Sequence, residues 1–429
     1  MTLPGIDLHQ PAEPVPLRRN RTFGIFWTVQ ALSTLGSSFS LVAIPLLVLH
    51  ATGSVAQMGL ITGLAGAGTV ASGLFAGVLV DRVDRRLLMI WCDLARLLLY
   101  ATVPAVWWTA GEHVWLLYPV IAAAAVFQMV FDVACSAAVP NIVAREQITA
   151  ANSRLQATYG AGYVLGPMAA GLIAGLAGPV TAIAVDAATF GVSVVGLLLI
   201  RLRPATGEPA LDPATGEPAA ATRPGAVWRD LAVGVRFLWR TPVLRAITLL
   251  YTPVTFLSLG LVDVFIYYVR HDLGQGDRIV GGLLGAASVG SIVAAVITPA
   301  VRRRMGFGPA WLAAYLACGV AILAAGLVFN LVVVLVAAVA FAFGETMAAI
   351  SSASLRQTVT PDHLLGRVTA GFWMVHHAFG PVGALVLTAA VATVGVHGPL
   401  IAVGVSFLAV VAAGLLTPLR AKHVTPAGR

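Results

Sequence analysis

Twelve runs of mostly apolar residues, each long enough to cross a bilayer, decide what this 429-residue chain can be. A hydrocarbon layer ~30 Å thick needs about 20 such residues as a helix. The runs fall near 23–49, 57–80, 87–110, 114–139, 155–177, 179–200, 244–268, 280–301, 310–330, 332–355, 369–394 and 398–419. Backbone in lipid must satisfy its own polar groups, which selects helices for all of them. The fold class expected is therefore all-α and integral to the membrane. Composition agrees: 10% of residues are charged, against about 25% in a soluble domain. A soluble chain so poor in charge has no way to cover its surface.

The 26 basic residues are arginines except for Lys422, and they sort by side. With the N-terminus inside, nearly all lie in the tails and in the connections at 81–86, 145–154, 201–245, 302–304 and 356–367. The other side keeps only Arg270 and Arg278. Positive charge stays in the cytoplasm, so both termini are expected there. The basic balance then points to a lipid surface and not to nucleic acid. Residues 1–22 contain no apolar leader and read as a cytoplasmic tail; 420–429 read as a second. Cys92, Cys135 and Cys318 lie within apolar runs without metal-ligand spacing, so no metal is expected.

One long connection, 201–243, separates a first group of six spans (23–200) from a second (244–419). It begins with "PATGEPALDPATGEPAAATRPG", in which PATGEPA occurs twice, a flexible linker composition. It continues with Trp228, Leu231, Val235, Leu238 and Trp239 at helical spacing, the pattern of an amphipathic helix on the inner membrane surface. The two groups repeat one another. Gly59, Gly63 and Gly68 in the second span match Gly281, Gly285 and Gly290 in the eighth, and Gly166-Pro167 matches Gly380-Pro381. Two six-helix bundles in parallel repeat are a transporter plan.

The tightest cluster of charge sits in "GLFAGVLVDRVDRRLLMI". Its core, Gly77-Val-Leu-Val-Asp81-Arg82-Val-Asp84-Arg85-Arg86, resembles the loop between helices two and three of the major facilitator superfamily, of the form G-x-L-a-D-r-x-G-R-[RK]. It departs at Asp84, where the family has its second glycine. "DLARLLL" and "AANSRL" before "GPMAAG" resemble the macrolide and siderophore exporter branch. The resemblance covers the whole chain. It implies two pseudo-symmetric bundles that rock about a central site, and a monomer. Gly77 would let a helix approach closely. Asp81, Arg82, Arg85 and Arg86 would latch the halves in one state and release in the other, or merely set topology. The second copy, "TPAVRRRMG", has lost the acid. Gly162, Gly166, Pro167 and Gly171 partly match the family's antiporter motif in helix five.

An ionisable group at membrane depth costs at least ~2.5 kcal/mol, so each one needs a reason. Asp132 in the fourth span and Glu345 in the tenth are expected near the midplane, at corresponding places, as sites for protons or a cationic substrate. Arg96 is either the partner of Asp93 one turn away or the partner of Asp132. Asp186 reads as structural, and Asp263 as a gate or a solvated rim. His376 and His377 sit near mid-span, where at most one faces a cavity. Gln30, Gln128 and Met129 are candidates for the cavity lining, with Trp373, Phe372 and Phe256 as an aromatic wall.

No phosphate-binding G-x-x-x-x-G-K-[ST] and no Ser/His/Asp or H-E-x-x-H set occurs. ATP hydrolysis and enzymatic chemistry are therefore not expected, nor is a cofactor; a proton gradient is the expected energy source. The reading is a secondary transporter in a bacterial plasma membrane, exporting small amphiphilic molecules for protons. The alternatives are an importer or uniporter of one metabolite and, from another class, a lipid scramblase.

Overall fold

The computed structural model describes residues 16–17, 19–144, 147–200 and 226–421, with a few side chains inside helices also left undescribed, those of Asp81 and His377 among them. Both tails in large part, and the linker repeat, lie outside the described residues. So do the side chains of Trp228 and Leu231.

Six helices form the first bundle: α1 (Arg21–Thr52), α2 (Val55–Arg82), α3 (Arg85–Ala110), α4 (Leu117–Ala138), α5 (Ile148–Ala177) and α6 (Pro179–Leu199). After the linker come α7 (Ala226–Arg240), α8 (Pro242–Ser258) and α9 (Leu261–Tyr267), the last continued by a π turn over Tyr268–Asp272. The second bundle is completed by α10 (Asp277–Met305), α11 (Phe307–Leu327), α12 (Leu331–Val359), α13 (Asp362–Val394) and α14 (His397–Leu415). Twelve spans are long and apolar enough to cross a membrane, with Pro242–Asp272 counted as one.

Local chemistry explains the breaks. Asn20 caps α1, accepting from the Phe23 amide at 3.0 Å while its amide donates to the Ile142 carbonyl at 3.1 Å. Ser54 caps α2 and Asn330 caps α12, each satisfying amides that a helix start leaves free. Gly178 ends α5 at a φ of 85° and Pro179 opens α6, the helix-stop and helix-start residues suited to those places. The seventh span is not one rod. It breaks at Gly260, whose Cβ would lie 2.9 Å from Ala384 Cα, so α13 passes too close for a side chain.

In the first bundle α1 packs on α5 and α6, α2 on α4, and α3 on α4 and α6. In the second, α10 packs on α12, α11 on α12 and α14, and α8 on α13. The bundles meet along two seams, α2 with α13 and α5 with α10. The sequence repeat pairs α2 with α10 and α5 with α13, so each seam is the image of the other.

The helix directions define two faces. One carries the start of α1, the end of α14 and the Arg-rich turns, the basic face; the other is the far face. The named contacts across the seams lie toward the far face. A Cβ on Gly59 would meet Thr388, one on Gly66 would meet Pro381 at 2.6 Å, and one on Gly171 would lie 2.3 Å from Gly281 Cα. Thr62 donates to Asp263 across the halves at 2.7 Å. Among the described residues the molecule is thus closed at its far face and parted toward its basic face, where a Cβ on exposed Gly77 would meet nothing within 4 Å.

The linker helix departs from expectation. In its described part, Leu238 is fully buried. A Cβ on Gly234 would lie 2.1 Å from the Arg367 carbonyl, and one on Gly371 would lie 3.2 Å from Val235. Gly234 and Val235 of α7 thus lie against the start of α13, while Trp239 stays exposed.

Candidate functional site

On α4, Gln128, Asp132 and Ser136 follow at intervals of four, one polar stripe on an otherwise apolar helix. Asp132 is exposed. Its carboxylate accepts from Gln128 Nε2 at 2.8 Å, and its carbonyl accepts the Ser136 hydroxyl at 2.9 Å. A polar stripe of this kind faces water and not lipid, so it lines the gap between the bundles. On α12, Glu345 is half-buried and accepts the Ser258 hydroxyl at 3.1 Å. Tyr315, buried with no close hydrogen-bond partner for its hydroxyl, faces it.

The two acids do not occupy corresponding depths. Glu345 is fourteen residues from Val359, the basic-face end of α12. Asp132 is only nine from Asn141, where its span ends. At 1.5 Å per residue Asp132 lies roughly 7 Å nearer its basic-face end.

Behind α4 lies a buried network. Arg96 Nη1 is 3.3 Å from Asp93 Oδ1, and Arg96 Nη2 donates to Ser37 at 2.9 Å. The guanidinium lies 3.8 Å from the centre of the Phe190 ring. Asp93 also accepts the Ser193 hydroxyl. Of the two readings of Arg96, the structure shows the pair with Asp93. Asp186, likewise buried, accepts the Ser40 hydroxyl and serves packing among α1, α3 and α6. Asp263 is buried, not a solvated rim, and accepts the Thr62 hydroxyl across the two bundles.

Several expected lining residues are core. Gln30 is 2% exposed and donates to Cys135 Sγ at 2.7 Å, held between α1 and α4. His376 is 1% exposed, with Nε2 3.3 Å from the Thr248 carbonyl and its ring stacked near Tyr251 and Phe372. Phe372 is fully buried beside it, so it is not a cavity wall. Trp373, on the next helical position, is 37% exposed.

In the charged loop, Arg85 Nη1 donates to the Ala137 carbonyl at 2.9 Å and to Asn141 at 2.8 Å. Arg86 donates to the Leu197 and Leu198 carbonyls, both at 2.8 Å. Arg82 is exposed. Asp84 accepts from the Leu87 amide at 2.8 Å and caps α3, which accounts for an acid where the family has glycine. Gly77 is exposed, and a Cβ there would meet nothing within 4 Å. The close approach expected at Gly77 is absent because the bundles are parted at that face. The close approaches occur instead at Gly162 and Gly166, against Thr34 and Ser38 of α1, at Gly171 against Gly281, and at Gly380 against Leu259. Pro381 fills the space over Gly66.

One functional candidate escaped the sequence. Arg356 is 3% exposed, lies 3.9 Å from the Phe372 ring centre and 5.6 Å from that of Trp373, and donates to Ser352 at 2.7 Å. No carboxylate pairs with it among the described residues. It sits at the start of the basic-face connection 356–367, where an arginine reads as topological; the hydroxyl-rich "SSASL" before it is the signal that sets it apart.

A parted pair of six-helix bundles with an acid on the gap is a carrier's geometry. The family model described as Major Facilitator Superfamily matches residues 26–384. The chain belongs to the Major Facilitator Superfamily. It is 27% identical over 380 residues to the multidrug efflux pump Tap of Mycolicibacterium fortuitum, covering 87% of this chain and 90% of that one. The Tap pump of Mycobacterium tuberculosis is 28% identical over 400 residues, 91% of each chain. The enterobactin exporter EntS of Escherichia coli is 26% identical over 372 residues, 84% of this chain and 82% of that one. Among solved structures, the nucleoside transporter NupG superposes with a TM-score of 0.72 at 11% identity, over 92% of this chain and 98% of that one. The protein is a multi-pass membrane transporter and not an enzyme.

Proposed function

We propose that the protein exports small amphiphilic molecules across a bacterial plasma membrane in exchange for protons. The carrying observation is the exposed carboxylate of Asp132 on a polar stripe of α4, in a gap that opens toward the basic face. With the basic face in the cytoplasm, that gap is a loading chamber for cargo from inside the cell. The apolar rest of the lining and Trp373 suit amphiphiles. The likeness to Tap and EntS supports the outward direction. Asp132 and Glu345 are the groups that exchange a proton or meet a cationic part of the cargo. Arg85 and Arg86 are satisfied within the first bundle in this state, as a released latch would be; when the basic face closes, the charged loop takes partners on the second bundle. The working unit is one chain in its bilayer.

The test is growth inhibition of an efflux-deficient bacterial host by macrolides, tetracyclines, cationic dyes and siderophore-like chelators. Wild type is expected to raise tolerance to some of these at least fourfold, and Asp132→Asn at equal expression to lose it. Equal protection by both moves the coupling to Glu345. No protection by wild type overturns export.

A further inference from the structure

At the far face the bundles are joined by a polar cluster that the cargo site does not use. His50 lies in the last turn of α1, and Asp277 opens α10. His50 Nε2 is 3.0 Å from Asp277 Oδ1. The same oxygen receives Arg270 Nη1 at 2.9 Å, from the π turn after α9. The Arg270 pair is internal to the second bundle and survives separation of the far ends. The His50 contact crosses between bundles and exists only while those ends are closed. The three side chains are 25%, 18% and 28% exposed, so protons reach them from the far face.

We propose that His50 is a positioning residue of the transport cycle, whose protonation completes an ion pair with Asp277 that holds the far face shut. Neutral imidazole offers Asp277 one ordinary hydrogen bond; imidazolium adds a full charge to it. Histidine ordinarily changes charge between pH 5 and 8. Protonation of His50 therefore favours the closed far face, and that advantage fades as pH rises. Other charges lie nearby without taking this role. Arg278 backs onto Gly175 of α5. His271 pairs with Asp272 at 2.7 Å. Glu112 and His113 precede the short turn that α1 touches, where His113 bonds the Gly111 carbonyl. Among the described residues Asp277 is the polar partner of His50. Resting on the orientation proposed above, the far face is the acidic exterior. External acid then drives the emptied carrier back to its loading state, without that proton passing through the cargo site.

The experiment uses the purified full-length chain in lipid nanodiscs, spin-labelled at Ala110→Cys and Val394→Cys, both exposed near the far face. Electron–electron double resonance reads the width of that face without cargo. From pH 5 to 8 the closed-to-open ratio of wild type is expected to fall about fivefold, as for a partly exposed ion pair. In His50→Gln the change should shrink below twofold, and His50→Lys should stay closed at both pH values. A pH-insensitive wild type, or a His50→Gln variant with the full wild-type response, overturns the inference. The readout needs no transport. Far-face closure by acid combined with no drug protection in cells would keep this inference and remove export instead.

Discussion

In the first bundle Arg96 is surrounded by a carboxylate, a hydroxyl and an aromatic face. In the second, Arg356 has a hydroxyl and two rings, and no carboxylate among the described residues. Both arginines are buried. The acids divide in the same way. Asp93 and Asp186 are enclosed by donors of their own bundle, whereas half-buried Glu345 has Ser258 as its one close donor among the described residues. The first bundle has settled its interior charges by itself, and they act as scaffold. The second carries an acid and a base on one helix, α12, eleven residues apart and so roughly 16 Å along one face. Among the described residues neither is paired with an opposite charge.

The largest expected effect tests that division directly. Arg96→Leu strands Asp93 in a dry interior and should lower stability by about 3–5 kcal/mol, as breaking a buried pair does. Arg356→Leu strands no acid and should cost about 2 kcal/mol, the worth of a desolvated cation–π contact. Thermal unfolding of both variants in one detergent decides it; equal losses would erase the distinction.

A second comparison separates fold from transport. Glu345→Gln is expected to reduce efflux tenfold or more while moving stability by less than about 1 kcal/mol. Asp93→Asn is expected to reverse the pattern, with loss of stability of about 2 kcal/mol from a weakened buried network and efflux preserved at matched protein level. Dye efflux from loaded vesicles, normalised to folded protein, reads both.

The smallest effect concerns the two copies of the charged loop. α3 starts on the Asp84 side-chain cap, and α11 starts after Gly306 at a φ of 91° with no side-chain cap. Asp84→Ala should cost about 1 kcal/mol through the lost cap. Gly306→Ala should cost about the same through backbone strain. If either variant matches wild type in a melt, that loop is held by its neighbours and not by its own chemistry.

The twelve spans were legible because lipid imposes one length and one composition on each. The splits at Gly178-Pro179 and at Asn330 were legible because glycine, proline and a capping side chain declare a helix end locally. The break in the seventh span was not, since it answers to the backbone of α13 passing Gly260. For the site, the sequence showed which charges lie at depth and not what holds them. Asp93 meets Ser193, and Asp186 meets Ser40, across separations no periodicity encodes. Gln30 and His376 looked like lining residues because a polar residue in a span signals function only when its partner is unknown. Arg356 was hidden by standing at the start of a basic-face connection, 356–367, whose arginines all read as topological.

Each seam between the bundles has a place where glycine faces backbone or a single small side chain, Gly171 against Gly281 and Gly59 against Thr388. Such a joint has almost no rotamers to rearrange before it turns. Interlocked side chains would have to withdraw one by one, each adding to the activation barrier. Bare surfaces can roll past one another with the contact area nearly constant. The speed of the carrier is then set by what is fastened at either end of the seam, and hardly at all by the seam itself.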